Sequence, residues 1–309
     1  GGRYVAFTSL ASNLVPGDDN GADDIFVRDL QTGTVECISR GPTGAFGDGG
    51  SWGAVLSAAG RFVLFTSMAE NLGPTDVNRF ADLYLRDRVT GQTHLISAND
   101  DGVAANGPSG GGSISDDGRW VTFFSYATDL APGRGGRDRE SYVVDRQEGT
   151  RRFLAETLPP LPGGLIARGA VVSPDGNWLA VAASAGCGME PGTSQVMVVH
   201  RWSGRVKAVS ALRDGSWGDD HSFVGHFSGD GRYLAFESAA RNLLGEDSWP
   251  AGQAYLASIA EAGVDALARA EGAWRGEGPG ALAEQSVSRV PRVGGTDTVQ
   301  FTVRLENHG

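Results

Sequence analysis

The chain carries the phrase Gly60-Arg61-Phe62-Val63-Leu64-Phe65, and four other stretches repeat it with small changes. Each copy joins a glycine and a polar residue to an aromatic residue and then to an apolar run. The copies begin at Gly2, Gly60, Gly118, Gly176 and Gly231, at intervals of 58, 58, 58 and 55 residues. Self-similarity at a fixed period of this length indicates a repeat architecture, so the repeated unit decides the fold.

A second marker recurs in phase with the first. It is an Asp-x-x-x-Gly turn, or a variant of one. The copies run from Asp29 to Gly33, Asp87 to Gly91, Asp145 to Gly149 and His200 to Gly204. Their glycines step by 58, 58 and 55 residues, which matches the first marker. Two independent markers in phase indicate that the whole unit repeats.

Each unit predicts four short strands. In the second unit strand A runs from Trp52 to Leu56, strand B from Arg61 to Thr66, strand C from Leu83 to Arg86 and strand D from His94 to Ser97. The runs are rich in β-branched and aromatic residues and are bounded by Gly, Asp and Ser. Strand B is apolar at nearly every position, which predicts burial of both its faces. Four-stranded sheets of this kind in tandem are typical of propeller blades.

These turns carry a family resemblance. The runs Ser115-Asp116-Asp117-Gly118-Arg119, Ser173-Pro174-Asp175-Gly176-Asn177 and Ser228-Gly229-Asp230-Gly231-Arg232 resemble the Ser-Pro-Asp-Gly signature of TolB-like β-propeller repeats. The longer phrase from Arg3 to Asp29 is similar to a version found in bacterial exported proteins. The resemblance covers roughly residues 1–268. It implies a bacterial protein that is extracellular, on the cell surface or periplasmic. It says little about activity, because propellers host unrelated functions.

The predicted fold class is all-β, with a β-propeller of about five recognisable blades in residues 1–268. The first copy lacks strand A, which predicts either a fragment or a ring whose first blade is completed from elsewhere. Residues 269–285 are predicted to form a linker. In 286–309, apolar residues alternate with polar ones from Val299 onward, which indicates a half-buried strand. We interpret 286–309 as the start of an Ig-like surface-protein repeat, with a degenerate sixth blade as the alternative.

Composition excludes some classes of protein. The formal net charge is −11 and the sequence pI is about 4.9, which disfavours nucleic acid as a partner because both molecules are anionic. No stretch approaches 18 consecutive apolar residues, so the sequence predicts no membrane span.

Two acidic loops suggest a metal. In a blade the A–B and C–D turns leave on one face, and the B–C loops and D–A crossings leave on the other. The B–C loops of the first two units share the pattern Asp-x-Asn-x-x-x-Asp in register. The predicted calcium ligands are Asp18, Asn20 and Asp24 in the first and Asp76, Asn78 and Asp82 in the second. Oxygens at alternate loop positions suit Ca²⁺. The alternative is that these residues only cap turns.

Catalytic motifs are sparse. The chain has no Gly-x-Ser-x-Gly elbow. His221 and His226 flank a predicted inner strand near Asp219, Asp220 and Trp217, and they could act as acid and base or line the channel as a polar wall. The sequence therefore predicts a non-catalytic, exported binding or scaffold module, supported by calcium, that presents its loop-rich face to a protein or a surface polysaccharide. The alternative is a propeller enzyme of the lyase or glycosidase type.

Overall fold

The architecture is nearly all-β. The computed structural model describes residues 2–73, 76, 78–131, 139–184, 193–212, 214–243, 253–260, 263–269, 284–290 and 299–304, with the backbone alone from residue 260 onward. Within this part of the chain the helical elements are helix α1, Leu154–Thr157, and a 3-10 turn, Pro162–Gly164. Neither of them has the length or apolar character of a membrane span.

The strands fall into five blades and one hairpin. Blade 1 holds β1 Tyr4–Ser9, β2 Asp24–Asp29 and β3 Val35–Cys37. Blade 2 holds β4 Ser51–Leu56, β5 Phe62–Ser67, β6 Asp82–Asp87 and β7 Gln92–Leu95. Blade 3 holds β8 Ser109–Ile114, β9 Trp120–Ser125, β10 Glu140–Asp145 and β11 Thr150–Phe153. Blade 4 holds β12 Ile166–Val172, β13 Trp178–Ser184, β14 Gln195–His200 and β15 Val206–Ala208. Blade 5 holds β16 Ser222–Phe227, β17 Tyr233–Ser238, β18 Gln253–Ala260 and β19 Gly263–Arg269. The hairpin holds β20 Glu284–Val290 and β21 Val299–Arg304.

Each blade is an antiparallel sheet whose strands pair in chain order, A to D. Blade 1 has three strands among the described residues. They correspond to strands B, C and D, as predicted from the lack of strand A in the first copy. Strand D of blade 2 was predicted at His94 to Ser97 but lies at Gln92–Leu95. The ladder ends there because the amides of Ile96 and Ser97 both point to the carbonyl of Leu83. The Ig-like interpretation of 286–309 is not confirmed, since the described strands form a simple hairpin.

The blades are arranged radially, with strand A innermost. Neighbouring sheets touch in sequence, β1 with β4, β5 with β8, β9 with β12 and β13 with β16. At the centre lies a cavity of about 220 Å³, lined in part by Leu56, Ile114, Val172 and Phe227 from the inner strands of blades 2 to 5. The structure is therefore a five-bladed propeller.

Strand B forms the core of the middle blades. All six residues of β5 are buried, and Phe65 and Phe123 are 0% and 3% exposed. The prediction that strand B is buried on both faces is therefore confirmed in blades 2 and 3. In the first and fifth blades, β1 and β17 alternate between more and less exposed residues.

A repeated ion pair joins strand B to the C–D turn in the first three blades. Arg61 donates from Nε and Nη2 to the carboxylate of Asp87, at 3.0 and 2.7 Å. The equivalent pairs are Arg3–Asp29 and Arg119–Asp145. The Asp87 carboxylate also accepts the backbone N–H of Val89, which fixes the turn. The arginine after the motif glycine therefore stabilises the C–D hairpin of the same blade.

Every complete inner strand carries a β-bulge. The register shifts lie between Trp52 and Val55, Gly110 and Gly112, Ala167 and Gly169, and Val224 and Phe227. A bulge leaves a residue unpaired and re-aims its side chain, and bulges are common beside functional sites. In blade 4 the register shift falls at Arg168, and in blade 5 it includes His226. Of these residues, His226 lines the central cavity.

Candidate functional site

The predicted metal-binding loop of blade 1 is an internal hydrogen-bond network. The Asn20 amide donates to Asp24 Oδ2 at 2.7 Å and to the carbonyl of Gly47 at 2.8 Å. Asn20 Oδ1 accepts the backbone N–H of Ala22, and Asp24 Oδ1 accepts the Ser39 hydroxyl. Asp24 is fully buried. The loop oxygens therefore anchor the B–C loop to the following D–A crossing.

Blade 2 repeats the same network. The Asn78 amide donates to Asp82 Oδ2 at 3.0 Å and to the carbonyl of Ala105 at 2.6 Å. The Ser97 hydroxyl donates to Asp82 Oδ1. Burial of Asp82 raises the pKa of its carboxyl to about 6, and the hydrogen bonds from Ser97 and Asn78 oppose that rise. The loop therefore holds a carboxyl whose charged form is disfavoured.

The first aspartate of the motif has different surroundings in the two blades. Asp76 is buried and accepts a hydrogen bond from the Tyr84 hydroxyl at 2.8 Å. In blade 1 the residue at the position of Tyr84 is Phe26, which has no hydroxyl to offer Asp18. Asp18 is half-buried, and burial raises the pKa of its carboxyl.

In blade 4 a glutamine takes the place of the buried acid in this hydrogen-bond network. Gln195 occupies the position of Asp82, accepts the Ser210 hydroxyl at 2.6 Å and donates to the carbonyl of Gly218 at 3.0 Å. One neutral side chain thus makes the contacts that Asp82 and Asn78 make together. In the described ranges, no group of three or more His, Cys, Asp or Glu side chains is placed to hold a metal ion. The loop oxygens thus have hydrogen-bond partners within the protein, and calcium binding remains a prediction.

The predicted catalytic cluster is divided among separate contacts. His221 Nδ1 accepts the backbone N–H of Ser194 at 3.1 Å. Asp219 Oδ1 accepts the backbone N–H of Arg241 at 2.7 Å, and Asp220 accepts the N–H of His221. Asp219 and Asp220 therefore hold neighbouring loops and do not orient the imidazole of His221. Of the two histidines, His226 lines the central cavity.

The central cavity is more apolar than the sequence predicted. A polar wall was expected near His221, but the lining is chiefly aliphatic and aromatic, with His226 and Ser113 as its polar members. The Ser113 hydroxyl lies 2.7 Å from Thr122 Oγ1 and accepts the N–H of Val172, so these bonds satisfy it. The physical reason is that every inner strand turns its apolar end, such as Val55 and Leu56, toward the axis.

The loop-rich face exposes large apolar side chains around the channel mouth. We call Trp52, Met68, Tyr126 and Phe223 the channel rim, and their exposed fractions lie between 42% and 54%. Trp52 and Phe223 are the second residues of inner strands β4 and β16, whereas Met68 and Tyr126 directly follow strands β5 and β9. Because A strands begin and B strands end at the same edge of each blade, the rim belongs to one face. The sequence pattern did not predict the rim, although Met68 and Tyr126 are one repeat apart.

The described loops of the same face are acidic. The exposed carboxylates there are Asp19, Asp23, Asp48, Glu70, Asp100, Asp101, Asp214 and Asp219. The described arginines in those loops are Arg40, over the Phe46 ring at 3.9 Å, Arg79, 3.8 Å from Glu70, and the exposed Arg241. Arg151 of blade 3 also pairs with Asp100, at 2.8 Å. The face therefore combines exposed apolar groups with an excess of negative charge.

The arrangement of the sheets defines a β-propeller of small blades, four-stranded in blades 2 to 5. Among solved structures, TolB from Acinetobacter baumannii is similar, with 19% identity, a TM-score of 0.44 and coverage of 83% of this chain and 49% of its own. TolB from Agrobacterium tumefaciens has 17% identity, a TM-score of 0.44 and coverage of 76% and 70%. An oligogalacturonate lyase from Vibrio parahaemolyticus has 11% identity, a TM-score of 0.45 and coverage of 97% and 74%. The chain spans about half the length of the Acinetobacter TolB.

These likenesses concern the fold. The structural neighbours include TolB propellers, the family that the repeat signature resembles, and they also include a lyase propeller. No protein-family model and no curated protein matches the chain. Function has to be argued from the face itself.

Proposed function

We propose that this chain is a non-catalytic binding module whose channel rim takes a polypeptide that presents basic and apolar side chains. The observation that carries the proposal is the rim itself, four large apolar side chains exposed around the channel mouth. Aromatic residues and methionine are enriched in protein interfaces, and buried aromatic anchors commonly dominate binding energy. Exposure of several large apolar side chains on one face is typical of an interaction site.

Charge selects the class of partner. The exposed carboxylates of the described loops lie on the same face as the rim and outnumber the described arginines there, which gives this face a negative field. A partner with lysine or arginine beside its apolar groups is attracted to that field, and like-charged partners are rejected. An anionic polysaccharide therefore fits this face less well than a basic polypeptide.

The assignment as non-catalytic rests on the contacts of the strongest catalytic candidate. A general base needs an orienting partner and a path to the reacting atom. His221 instead accepts a backbone N–H and stacks on the rim residue Phe223, with ring centroids 6.1 Å apart. Those contacts suit a structural support for the rim. The resemblance to exported repeat proteins supports a location outside the bacterial cytoplasm.

Selection from a random-peptide phage library tests the proposal without knowledge of the partner. The selection uses the wild-type chain, and each enriched peptide is then tested on Trp52→Ala plus Phe223→Ala. We expect enriched peptides that combine basic and aromatic residues and that lose binding to the double variant. Enrichment of acidic peptides, undiminished binding to the double variant, or no enrichment would overturn the proposal.

A further inference from the structure

The edge of strand β1 that faces away from β2 pairs with no other strand in the described part of the chain. Leu30 donates its N–H to the carbonyl of Arg3 across the β1–β2 ladder. Because successive residues of a strand turn their backbone groups to opposite edges, those of Tyr4, Ala6 and Thr8 point away from β2. In blades 2 to 5 the equivalent edge of strand B pairs with strand A. Blade 1 therefore presents a row of backbone donors and acceptors, which we call the open edge.

Side-chain contacts in other blades show what strand A contributes at this edge. Ser51 of strand A donates its hydroxyl to that of Ser67 at 2.9 Å, and the equivalent serine pairs of blades 3 and 5 lie 2.8 Å apart. Ser9 stands one repeat before Ser67 and, like Ser67, accepts the backbone N–H two residues later. Ser67 is fully buried, whereas Ser9 is half-buried. Blade 1 thus keeps its own half of the serine pair, and no described serine supplies the other half.

The turn before strand B provides a second contact of the same kind. In blades 2 to 5 the serine that follows strand A accepts the N–H of the motif aromatic residue, as Ser57 accepts that of Phe62 at 3.2 Å. Tyr4 is the motif aromatic residue of blade 1, and within the described ranges no serine accepts its N–H. A groove of about 490 Å³ opens here between residues 2–4 and residues 56–60 of blade 2. The end of a strand A therefore finds both space and hydrogen-bond partners beside β1.

The likeness of β1 to β5 defines the strand that fits. Four of the six residues of these strands are identical in register, namely Val, Phe, Thr and Ser. Strand β5 pairs with β4, which starts at Ser51, ends in the apolar pair Val55 and Leu56 and is followed by Ser57. The complement of β1 therefore has two serines six residues apart, with two aliphatic residues directly before the second.

We propose that the open edge takes up an extended segment of another polypeptide with this pattern as the fourth strand of blade 1. The first serine of the segment pairs with Ser9, its aliphatic residues lie opposite Ala6 and Val5, and its second serine accepts the N–H of Tyr4. Strand addition of this kind draws affinity from main-chain hydrogen bonds and specificity from alternate side chains. None of the four rim residues belongs to the open edge, so the proposal does not depend on the rim partner.

Fluorescence anisotropy of a fluorescein-labelled peptide with the sequence of residues 51–58 tests the proposal on the whole chain. We expect saturable binding, because β1 offers that sequence nearly the same edge as β5. The peptide change Val55→Pro removes a main-chain donor and should abolish binding. Ser9→Ala should weaken binding about threefold to tenfold, whereas Ser12→Ala, a change at an exposed serine of the following loop, should leave the affinity unchanged. Equal affinities for these two variants would overturn the proposal.

Amide hydrogen exchange separates strand addition from binding elsewhere on the chain. The bound peptide should slow exchange at Tyr4, Ala6 and Thr8 and leave exchange unchanged at Val5 and Phe7, whose amides face β2. Absence of saturable binding, equal binding of the proline peptide, or unchanged exchange along the open edge would overturn the proposal. Exchange that slows with protein concentration in the absence of peptide would mean that a second copy covers the edge, and it would overturn the proposal as well.

Discussion

Gly118 of blade 3 lies against the aromatic ring of Phe62 in blade 2. A Cβ atom added at Gly118 would stand 2.5 Å from Phe62 Cε2, and the glycine has φ of +72°. Gly176 meets Trp120 of the preceding blade in the same way. The motif glycine therefore forms the A–B turn of its own blade and packs against the motif aromatic residue of the preceding blade. This contact explains why the interval between successive motifs is nearly constant.

Gly118→Ala should destabilise the propeller more than a glycine substitution in an open turn. Alanine at positive φ costs about 1–2 kcal/mol, and crowding of the Phe62 ring adds about 1–3 kcal/mol. Gly149→Ala is the control, because Gly149 has φ of +63° and no heavy atom within 4 Å of an added Cβ. Urea unfolding of both variants measures the difference. Equal losses of stability would contradict packing between blades at Gly118.

Asp87→Asn should lower stability at neutral pH by roughly 1 kcal/mol, because the ion pair with Arg61 is lost. The Arg61 hydrogen bonds hold the pKa of the Asp87 carboxyl well below its usual range. The stabilisation is therefore present above the unfolded-state pKa of about 4 and is lost as pH falls below it. Because the folded-state pKa lies well below that value, the loss is progressive, and urea unfolding should show the full difference between wild type and variant at pH 7 and a smaller difference at pH 3.

Glu148→Gln is the matched control for Asp87→Asn. Glu148 is 64% exposed and lies 3.9 Å from Arg119, so its neutralisation should change the free energy of unfolding little. A loss as large as that of Asp87→Asn would mean that net charge, and not the specific pair, accounts for the effect.

Asp82→Gln combined with Asn78→Gly should make blade 2 resemble blade 4 and remove a pH dependence. Burial raises the Asp82 pKa to about 6, so the folded state holds a proton that the unfolded state releases near pH 4. Wild-type stability should therefore fall, relative to the variant, as pH rises from about 4 to above 6. The expected change in that difference is on the order of 1–3 kcal/mol.

Unfolding at pH 4.5 and pH 7.5 measures the effect. Asp19→Asn, an exposed change in blade 1, serves as the control and should leave the pH dependence as in wild type. Parallel pH profiles for wild type and the double variant would show that Asp82 is not the group responsible.

The calcium prediction has a direct test in thermal unfolding. If Asp18, Asn20 and Asp24 and their blade 2 equivalents bind Ca²⁺, adding calcium should raise the midpoint, because a ligand of the native state stabilises it by mass action. A chelator should reverse that rise, and Asp82→Gln plus Asn78→Gly should reduce it by removing one site. A wild-type midpoint that is the same with calcium and with chelator would leave the loops as hydrogen-bonded turns.

Much of the fold was predictable because two markers repeat in phase. Gly60 and Asp87 each recur at the same interval, and every copy has to form the same turn and the same ion pair. Strand ends were less predictable: β7 was placed two residues late, since a propensity pattern does not show where a ladder stops. The hydrogen-bond partners in the acidic loops depend on Ser39 and Ser97, whose recurrence one repeat apart is a signal that went unused.

The site was harder to predict than the fold. Exposure of Trp52 or Phe223 depends on which neighbours cover them, and an apolar residue in a strand is ordinarily assigned to the core. A cavity lined in part by Glu140, Ala155 and Arg168 lies where the chain departs from the repeat, with alanine one repeat after Ser97 and a bulge at Arg168. Such departures can be seen in the sequence, but the space they create cannot.

The affinity of one selected basic-aromatic peptide for three proteins tests the central claim most directly. Fluorescence anisotropy gives the dissociation constant for wild type, for Trp52→Ala plus Phe223→Ala and for Trp202→Ala, whose indole is 62% exposed and follows strand C on the opposite face. A binding site at the channel rim predicts a loss of about tenfold or more in the double variant and no change in Trp202→Ala. Equal affinity for all three proteins, or a loss confined to Trp202→Ala, would contradict it.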